Sequence, residues 1–236
     1  LMVSQAAIET PIGAPAIIEA ASGLSVLFWI FIASLIGIAL GTVFFSEIAR
    51  ITSQEPKAFS LSDLLNQYGQ SLILTLMLIA AVFVLFIPVV FFTSLLAVFN
   101  MMIAQIAIFL FTFVLIWLAI PLFFSPHGIF VLHQRSFQSI MLSIRMVRFF
   151  LPGTGMFVLT AILISEGMNL LWELPDPSSW LTLVGIAGHA FIVTAMLAAS
   201  FIYYRDGLHW MQENIQRMNT PMGNQEIGGP FGTTKQ

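Results

Sequence analysis

Two positions in the second half of the chain carry side chains that could do chemistry inside an apolar sequence. Glu166 lies in a run of apolar residues, and Asn169 follows three positions later, which places both side chains on the same side of a helix. An ionisable group within a membrane helix is costly and is therefore a candidate for function. Two interpretations stay open: Glu166 carries protons or cations, or it is a neutral, hydrogen-bonded group that fixes helix packing.

His189 is the second such position, and Gly185 precedes it by one helical turn. A small residue at this spacing leaves space above the imidazole ring, an arrangement that can admit a chlorin or haem with the histidine as axial ligand. The alternative, which we favour, is a packed and hydrogen-bonded histidine with no cofactor. The remaining histidines have no His or carboxylate at metal-ligand spacing, so no metal site is predicted.

The chain lacks the sequence motifs of the common enzyme classes. It contains no GxSxG, HExxH, Walker-type or Rossmann glycine signature. It also has no cysteine, which excludes disulfides and thiolate ligands. Its 8 Lys and Arg residues are too few and too closely tied to the membrane segments for nucleic-acid binding. We therefore predict a non-enzymatic protein without a nucleic-acid partner.

The composition predicts an all-α integral membrane protein. Of the 236 residues, 58% are hydrophobic and 8% are charged, with a mean hydropathy of +0.97; the charged fraction of soluble domains is about 25%. A bilayer core of roughly 30 Å needs about 20 apolar residues per helix. The stretch between Asp63 and Arg135 contains no charge and is long enough to cross twice. Five spans are predicted, at about 24–45, 71–93, 101–123, 155–172 and 180–203.

Small and polar residues within the spans predict helix contacts. In the first span Ala33, Gly37 and Gly41 recur every four residues, a small-residue ridge that lets another helix approach closely. The ridge either packs against a neighbouring span of the same chain, which we favour, or forms a dimerisation face. Gln105, the lone strongly polar side chain of the third span, is predicted to form a hydrogen bond with a neighbouring helix. Pro88 predicts a kink in the second span.

The segments outside the spans are predicted as follows. Residues 128–150 form an interfacial amphipathic helix whose arginines, Arg135, Arg145 and Arg148, lie at the level of the lipid headgroups. Residues 21–205 form the membrane domain, and a C-terminal amphipathic helix continues from the last span to about Asn219. Residues 1–20 are an irregular lead-in outside the cytoplasm, and the polar tail that completes residues 206–236 is disordered without a partner.

The distribution of charge predicts the orientation. With five spans, all 8 Lys and Arg residues fall on one side of the membrane, and the other side carries only acidic charges. These acidic residues are Glu9, Glu19, Glu173 and Asp176. The positive-inside rule then places the N-terminus outside and the C-terminus in the cytoplasm. We predict a multi-pass protein of the plasma membrane, which in a bacterium is the inner membrane.

Three stretches of the chain resemble bacterial polytopic membrane domains of unassigned role. Residues 41–65, 126–150 and 201–210 share a span with a polar link and short helix, a Pro-led amphipathic helix, and a last span ending in Tyr203, Tyr204, Arg205 and Asp206. This pattern is similar to the membrane domain fused to some glycerophosphodiester phosphodiesterases and to the YciC-like proteins. Such domains commonly have six spans, whereas five are counted here; the difference would be explained if one N-terminal helix were absent from this chain. No catalytic residues are carried over, because the chain contains no phosphodiesterase catalytic domain.

We expect a scaffold or accessory subunit of a larger membrane complex, in contact with the lipid bilayer and with other membrane-protein subunits. The first alternative is a transport or channel-like component that uses Glu166 and the kink at Pro88. The second alternative is a pigment- or haem-binding subunit that uses His189.

Overall fold

The computed structural model describes residues 22–53, 60–176 and 179–219, and the elements in these ranges are α-helices. The predicted lead-in at 1–20 and the predicted disordered tail lie outside the described residues. The helices are α1 (Gly23–Thr52), α2 (Leu61–Phe99), α3 (Met101–Phe123), α4 (Ser125–Leu132), α5 (Ser136–Phe149), α6 (Leu151–Trp172) and α7 (Leu181–Asn219).

Five helical segments within the described ranges are long and apolar enough to cross a membrane. Four of them are α1, α2, α6, and α7 as far as Arg217. The fifth combines α3 and α4. At most 6% of the most apolar part of each segment is buried inside the chain, as expected when lipid covers the helix surfaces. The predicted all-α membrane class with five spans is confirmed.

The second and third spans form a hairpin with a tighter turn than predicted. The span predicted at 71–93 begins earlier, at Leu61, and is part of one continuous helix of 39 residues with Pro88 inside it. The helix continues past Pro88 because neighbouring groups can satisfy the single backbone acceptor that the proline frees. Asn100 alone separates α2 from α3, and its Oδ1 accepts a hydrogen bond from the Met102 N–H at 2.8 Å. This cap allows α3 to begin directly after α2.

The predicted single amphipathic helix at 128–150 is wrong, because the structure divides it into α4 and α5. The division falls at His133, whose φ of 52° is in the left-handed region. The N–H group of Gln134 donates to the carbonyl of Gly128 at 3.2 Å, which closes the end of α4 as in a Schellman-type cap. A left-handed residue cannot continue an α-helix, so α5 starts three residues later in a new direction.

The face of α5 that packs most closely on the protein differs from the side on which the apolar residues Phe137, Ile140 and Ile144 recur at helical spacing. Its buried residues are Ser136, Ser139, Ser143, Met146 and Val147, whereas Phe137 is 58% exposed. Accordingly α5 contacts α2, α3, α4, α6 and α7 and lies among them instead of at the periphery. Serine suits this face because its small side chain allows neighbouring helices to approach, and the hydroxyl groups of Ser136 and Ser139 bond to those helices. A pattern based on hydrophobicity assigns such a face to solvent.

The core of the protein lies at one end of the bundle, where the arginines are. One apolar cluster joins α1, α2, α4 and α7 through Ile48, Ala49, Leu74, Ile129, Phe130 and Phe201. A second joins the end of α3 to α5 and α7 through Phe124, Met146, Val147, Tyr204, Leu208 and Met211. The predicted amphipathic continuation of the last span is thus confirmed as far as Met211, which packs inward, while Ile215 is 41% exposed.

Candidate functional site

A polar cluster on the hairpin of α6 and α7 contains the ionisable residues singled out from the sequence. Asn169 on α6 and His189 on α7 lie next to each other, with 3.0 Å between Asn169 Oδ1 and His189 Nδ1. Since this amide oxygen can only accept, Nδ1 carries the proton and leaves Nε2 of a neutral ring as an acceptor. Glu166 lies one turn before Asn169 on α6 and is exposed. The structure therefore brings together the two sites that the sequence treated separately.

The cluster lies within the apolar length of both helices. Glu166 is six residues before the end of α6 at Trp172, and His189 is eight residues after the start of α7. At 1.5 Å per residue, these positions are about 9 Å and about 12 Å from the helix ends. A charged group costs about 2.5–3.5 kcal/mol on insertion scales at the centre of a membrane helix. Glu166 forms no hydrogen bond or ion pair with any described residue, so nothing in this part of the chain offsets that cost.

Trp172 packs against Gly185, the small residue that was predicted to leave space above the His189 ring. A Cβ added at Gly185 would meet the Trp172 carbonyl oxygen at 3.0 Å, and one added at Gly188 would overlap the indole ring. These glycines therefore serve the close packing of α6 on α7. The packing of Trp172 on Gly185 removes the open space on which the cofactor hypothesis was based, and binding of a chlorin or haem at His189 stays a hypothesis.

Gln105 lies on the surface of α3, four residues after the start of that helix, and is exposed. The predicted hydrogen bond to a neighbouring helix is wrong as far as the described residues extend. The position near the hairpin turn explains this, because a polar amide about 6 Å from a helix end can reach the headgroup region.

The small-residue ridge of α1 does not pack against another helix of the chain in the way the sequence favoured. Ala33 and Gly37 are exposed, and a Cβ added at Gly37 or Gly41 would meet nothing within 4 Å. The buried residues of α1, Thr42, Ile48 and Ala49, all belong to its last eleven positions. In the first half of α1, the Leu35 carbonyl accepts a 3.5 Å hydrogen bond from the Tyr68 hydroxyl of α2.

An open apolar groove continues from this ridge toward the core. It has a volume of about 190 Å³ and is lined by one side of α1, by α2 and by the start of α4. Gly41 lies in its wall together with Ile38, Leu74, Leu78 and Phe130. The ridge and the groove form one continuous surface, which we call the α1 face.

The three arginines predicted to contact lipid headgroups are exposed. Arg135 lies at the N-terminal end of α5, and Arg145 and Arg148 lie on its outer side, opposite the buried serines. Their contact with headgroups stays a prediction. The arginines do gather at one end of the bundle, because Arg50 and Arg205 line the same cavity and α5 packs against α4 beside it.

Buried hydroxyl and imidazole groups at this end of the bundle were missed from the sequence. His127 Nε2 lies 2.8 Å from Ser200 Oγ, and both side chains are fully buried. The Ser136 hydroxyl donates to the Gln70 carbonyl at 2.7 Å, and the Ser139 hydroxyl donates to the Ser125 carbonyl. These bonds join α4 and α5 to α2 and α7. Serines at positions 136, 139 and 143, with helical spacing, were the available signal.

A cavity of about 120 Å³ lies where α1, α2, α4 and α7 meet. Its polar lining includes Arg50, Arg205, Asp63 and His133. Both guanidinium groups already have carboxylate partners: Arg50 pairs with Glu47, and Arg205 pairs with Asp206 at 2.9 Å. Within the described residues, therefore, the cavity offers no guanidinium that awaits an anion.

Comparison with models of known protein families, with curated proteins and with solved structures finds no match to this chain. The class of the protein follows from its own fold. It is an all-α, multi-pass membrane protein whose apolar helices contact the lipid bilayer. Two surfaces stand out as candidate functional sites because no other described helix covers them. They are the α1 face and the polar cluster of Glu166, Asn169 and His189.

Proposed function

We propose that this protein is a non-enzymatic membrane scaffold or accessory subunit, and that the α1 face is where it binds a transmembrane helix of another membrane protein. The observation that carries the proposal is the empty space beside Gly37 and Gly41. A helix that contributes small residues to an interface allows backbones to approach, so that packing and weak hydrogen bonds stabilise the contact. Among the described residues, no side chain or backbone atom of another helix lies within 4 Å of a Cβ added at Gly37 or Gly41.

The groove beside the ridge supports the same conclusion. A partner helix that crosses α1 at Gly37 can extend along the groove between α1 and α2 and fill its volume of about 190 Å³. Lipid tails are flexible and fill a narrow groove less well than a fixed helix surface does, since dispersion contacts are lost wherever a gap remains. The partner is accordingly an apolar membrane helix with its own small or flat face.

The substitution Gly37→Leu tests this proposal. Leucine places a branched side chain on the ridge and keeps a partner backbone away, whereas no described atom lies within 4 Å of a Cβ added at this position. The measurement is the mass of the complex that contains the protein after gentle extraction from its native membrane with lipid attached. We expect the parent to migrate in a complex heavier than the chain alone and the variant to leave that complex.

Ala119→Leu is the matched control, because Ala119 is an exposed small residue on α3, which belongs neither to the α1 face nor to the hairpin of α6 and α7. This control should stay in the complex. If Gly37→Leu and Ala119→Leu both stay, the α1 face is not the interface. If the parent is monomeric in its native lipid, the protein is not a subunit.

The two alternative functions have less support. A transport path that uses Glu166 needs this carboxyl group to line the interior, but Glu166 is exposed on the outside of the hairpin of α6 and α7. A haem- or chlorin-binding function needs space beside His189, and Trp172 fills the side facing Gly185. The absorption spectrum of the purified protein tests the second alternative directly.

A further inference from the structure

We infer that the polar cluster on α6 and α7 is a self-association site, at which Glu166 of one copy pairs with His189 of the partner subunit. This goes beyond the proposed function, because it concerns another surface and another occupant. The α1 face contacts neither α6 nor the exposed side of the α6 and α7 hairpin. One copy can therefore use both surfaces at once.

One side of α6 is not covered by any other described helix. Within the described residues, α6 packs against α7 and, more weakly, against α5. Its outward side carries Leu163 and Leu170, which are 64% and 71% exposed, with Glu166 and Gly167 between them. Nothing lies within 4 Å of a Cβ added at Gly167, so a second helix can approach the backbone here. A polar group surrounded by apolar residues at a close-packing position is typical of a membrane helix interface.

The chemistry of the cluster selects the occupant. It presents an acid, the Glu166 carboxyl group, and a base, the free Nε2 of His189, on neighbouring helices. A second copy related by a two-fold axis presents the same two groups in reverse order, since a two-fold interface is complementary to itself. Each carboxyl group then meets an imidazole, and two equivalent pairs form. Protonated Glu166 donates to Nε2, and ionised Glu166 accepts from an imidazolium, so either form makes the pair.

Asn169 positions the imidazole for this contact. Its bond to Nδ1 fixes both the tautomer and the orientation of the ring and leaves Nε2 without a hydrogen bond to any described residue. When the pair forms, neither Glu166 nor His189 faces lipid as an unpaired group. Ionisable residues within membrane spans are almost always paired in this way. Lipid alone offers Glu166 no such partner at this depth.

The absence of cysteine from the sequence allows a clean cross-linking experiment. The full chain carrying Leu163→Cys is reconstituted into vesicles of phosphatidylethanolamine and phosphatidylglycerol at high lipid dilution and is treated with a short bifunctional thiol reagent. Phe109→Cys on α3 is the matched control, because it is 73% exposed and lies at a similar distance from its helix end. We expect a dimer band from Leu163→Cys and none from Phe109→Cys. Equal bands, or no dimer from Leu163→Cys, overturn the inference.

A complementation experiment tests the pair itself. Glu166→Ala and His189→Ala, each in the Leu163→Cys background, destroy both pairs in their own homodimers. An equal mixture of the two variants forms heterodimers that retain one intact pair. Interhelical polar contacts are modest, so we expect dimer formation to fall roughly fivefold to tenfold in each variant and to recover roughly threefold in the mixture.

Glu166→Gln is the control that separates loss of the pair from loss of the fold. Its amide can still donate to Nε2, so this variant should dimerise nearly as well as the parent. If the mixture cross-links no better than the single variants while Glu166→Gln behaves as the parent, Glu166 and His189 do not pair across a two-fold axis. If the cross-link appears only in native membranes and is lost from the pure protein, the occupant is another protein and the inference is wrong. Neither result affects the test of Gly37.

Discussion

The guanidinium group of Arg205 on α7 donates from Nη1 to the carbonyl oxygen of Thr52, the last residue of α1, at 2.6 Å. The two residues are 153 positions apart in the chain. A helix leaves its last carbonyl groups without intrahelical partners, and a cation there also meets the negative end of the helix dipole. The contact therefore fixes the end of the first span to the last span.

We expect Arg205→Ala to destabilise the protein by roughly 1.5–3 kcal/mol, the typical contribution of a hydrogen bond to a charged group. The measurement is the melting temperature in mild detergent. Arg217→Ala is the control, because the Arg217 side chain is 79% exposed and lies 3.9 Å from Glu213. Such a surface pair contributes at most about 1 kcal/mol, so this variant should melt close to the parent. Equal losses from both variants would show that the contact with Thr52 is not a stabilising one.

The buried pair of His127 and Ser200 gives a second prediction. The Ser200 hydroxyl donates to the Leu197 carbonyl at 2.7 Å and so accepts from His127 Nε2. Ser200→Ala leaves a buried ring nitrogen unpaired, which should cost roughly 1–3 kcal/mol in stability. Ser34→Ala removes a hydroxyl from an exposed position on α1, where it bonds to its own helix, and should change the detergent melting temperature little. The prediction fails if the two serine variants have the same melting temperature.

Gly128 on α4 has the least room for a larger side chain among the glycines of the described residues. A Cβ at this position would overlap the Ser139 hydroxyl and lie 3.0 Å from the Tyr204 hydroxyl. Gly128→Ala should therefore destabilise the protein by about 1–3 kcal/mol through overpacking. Gly155→Ala, in open space on α6, should be neutral or stabilising by up to about 1 kcal/mol because alanine favours helix. A stabilising effect of both changes would contradict the packing of α4 on α5.

The orientation predicted from the charges can be tested with single cysteines at exposed positions of the two ends. Gln138 on α5 is exposed at the arginine end, and Leu174, after α6, is 77% exposed at the other end. On cells with an intact plasma membrane, an impermeant thiol reagent should label Leu174→Cys but not Gln138→Cys. Opening the membrane should then expose Gln138→Cys to the reagent. The reverse pattern would invert the topology.

The sequence by itself determined that the protein folds in lipid, that it is an all-α membrane protein and that it has five spans. Long apolar runs can only be covered by lipid, and the backbone polar groups in them can only be satisfied within helices, so these features follow from composition and length. The continuation of the last span was predictable for a related reason, since Tyr204, Leu208 and Met211 repeat with the helical period.

Only the tertiary structure decided which faces meet. The serine face of α5 looks polar in sequence, yet it is buried because small hydroxyl groups bond to neighbouring helices that no local pattern reveals. The break at His133 depends on one left-handed residue within a polar stretch. The ridge at Gly37 shows the opposite case, because its spacing predicts a helix contact and no helix among the described residues lies against it. A periodic pattern specifies that a face is suited to packing, whereas its partner depends on how distant helices are arranged in space.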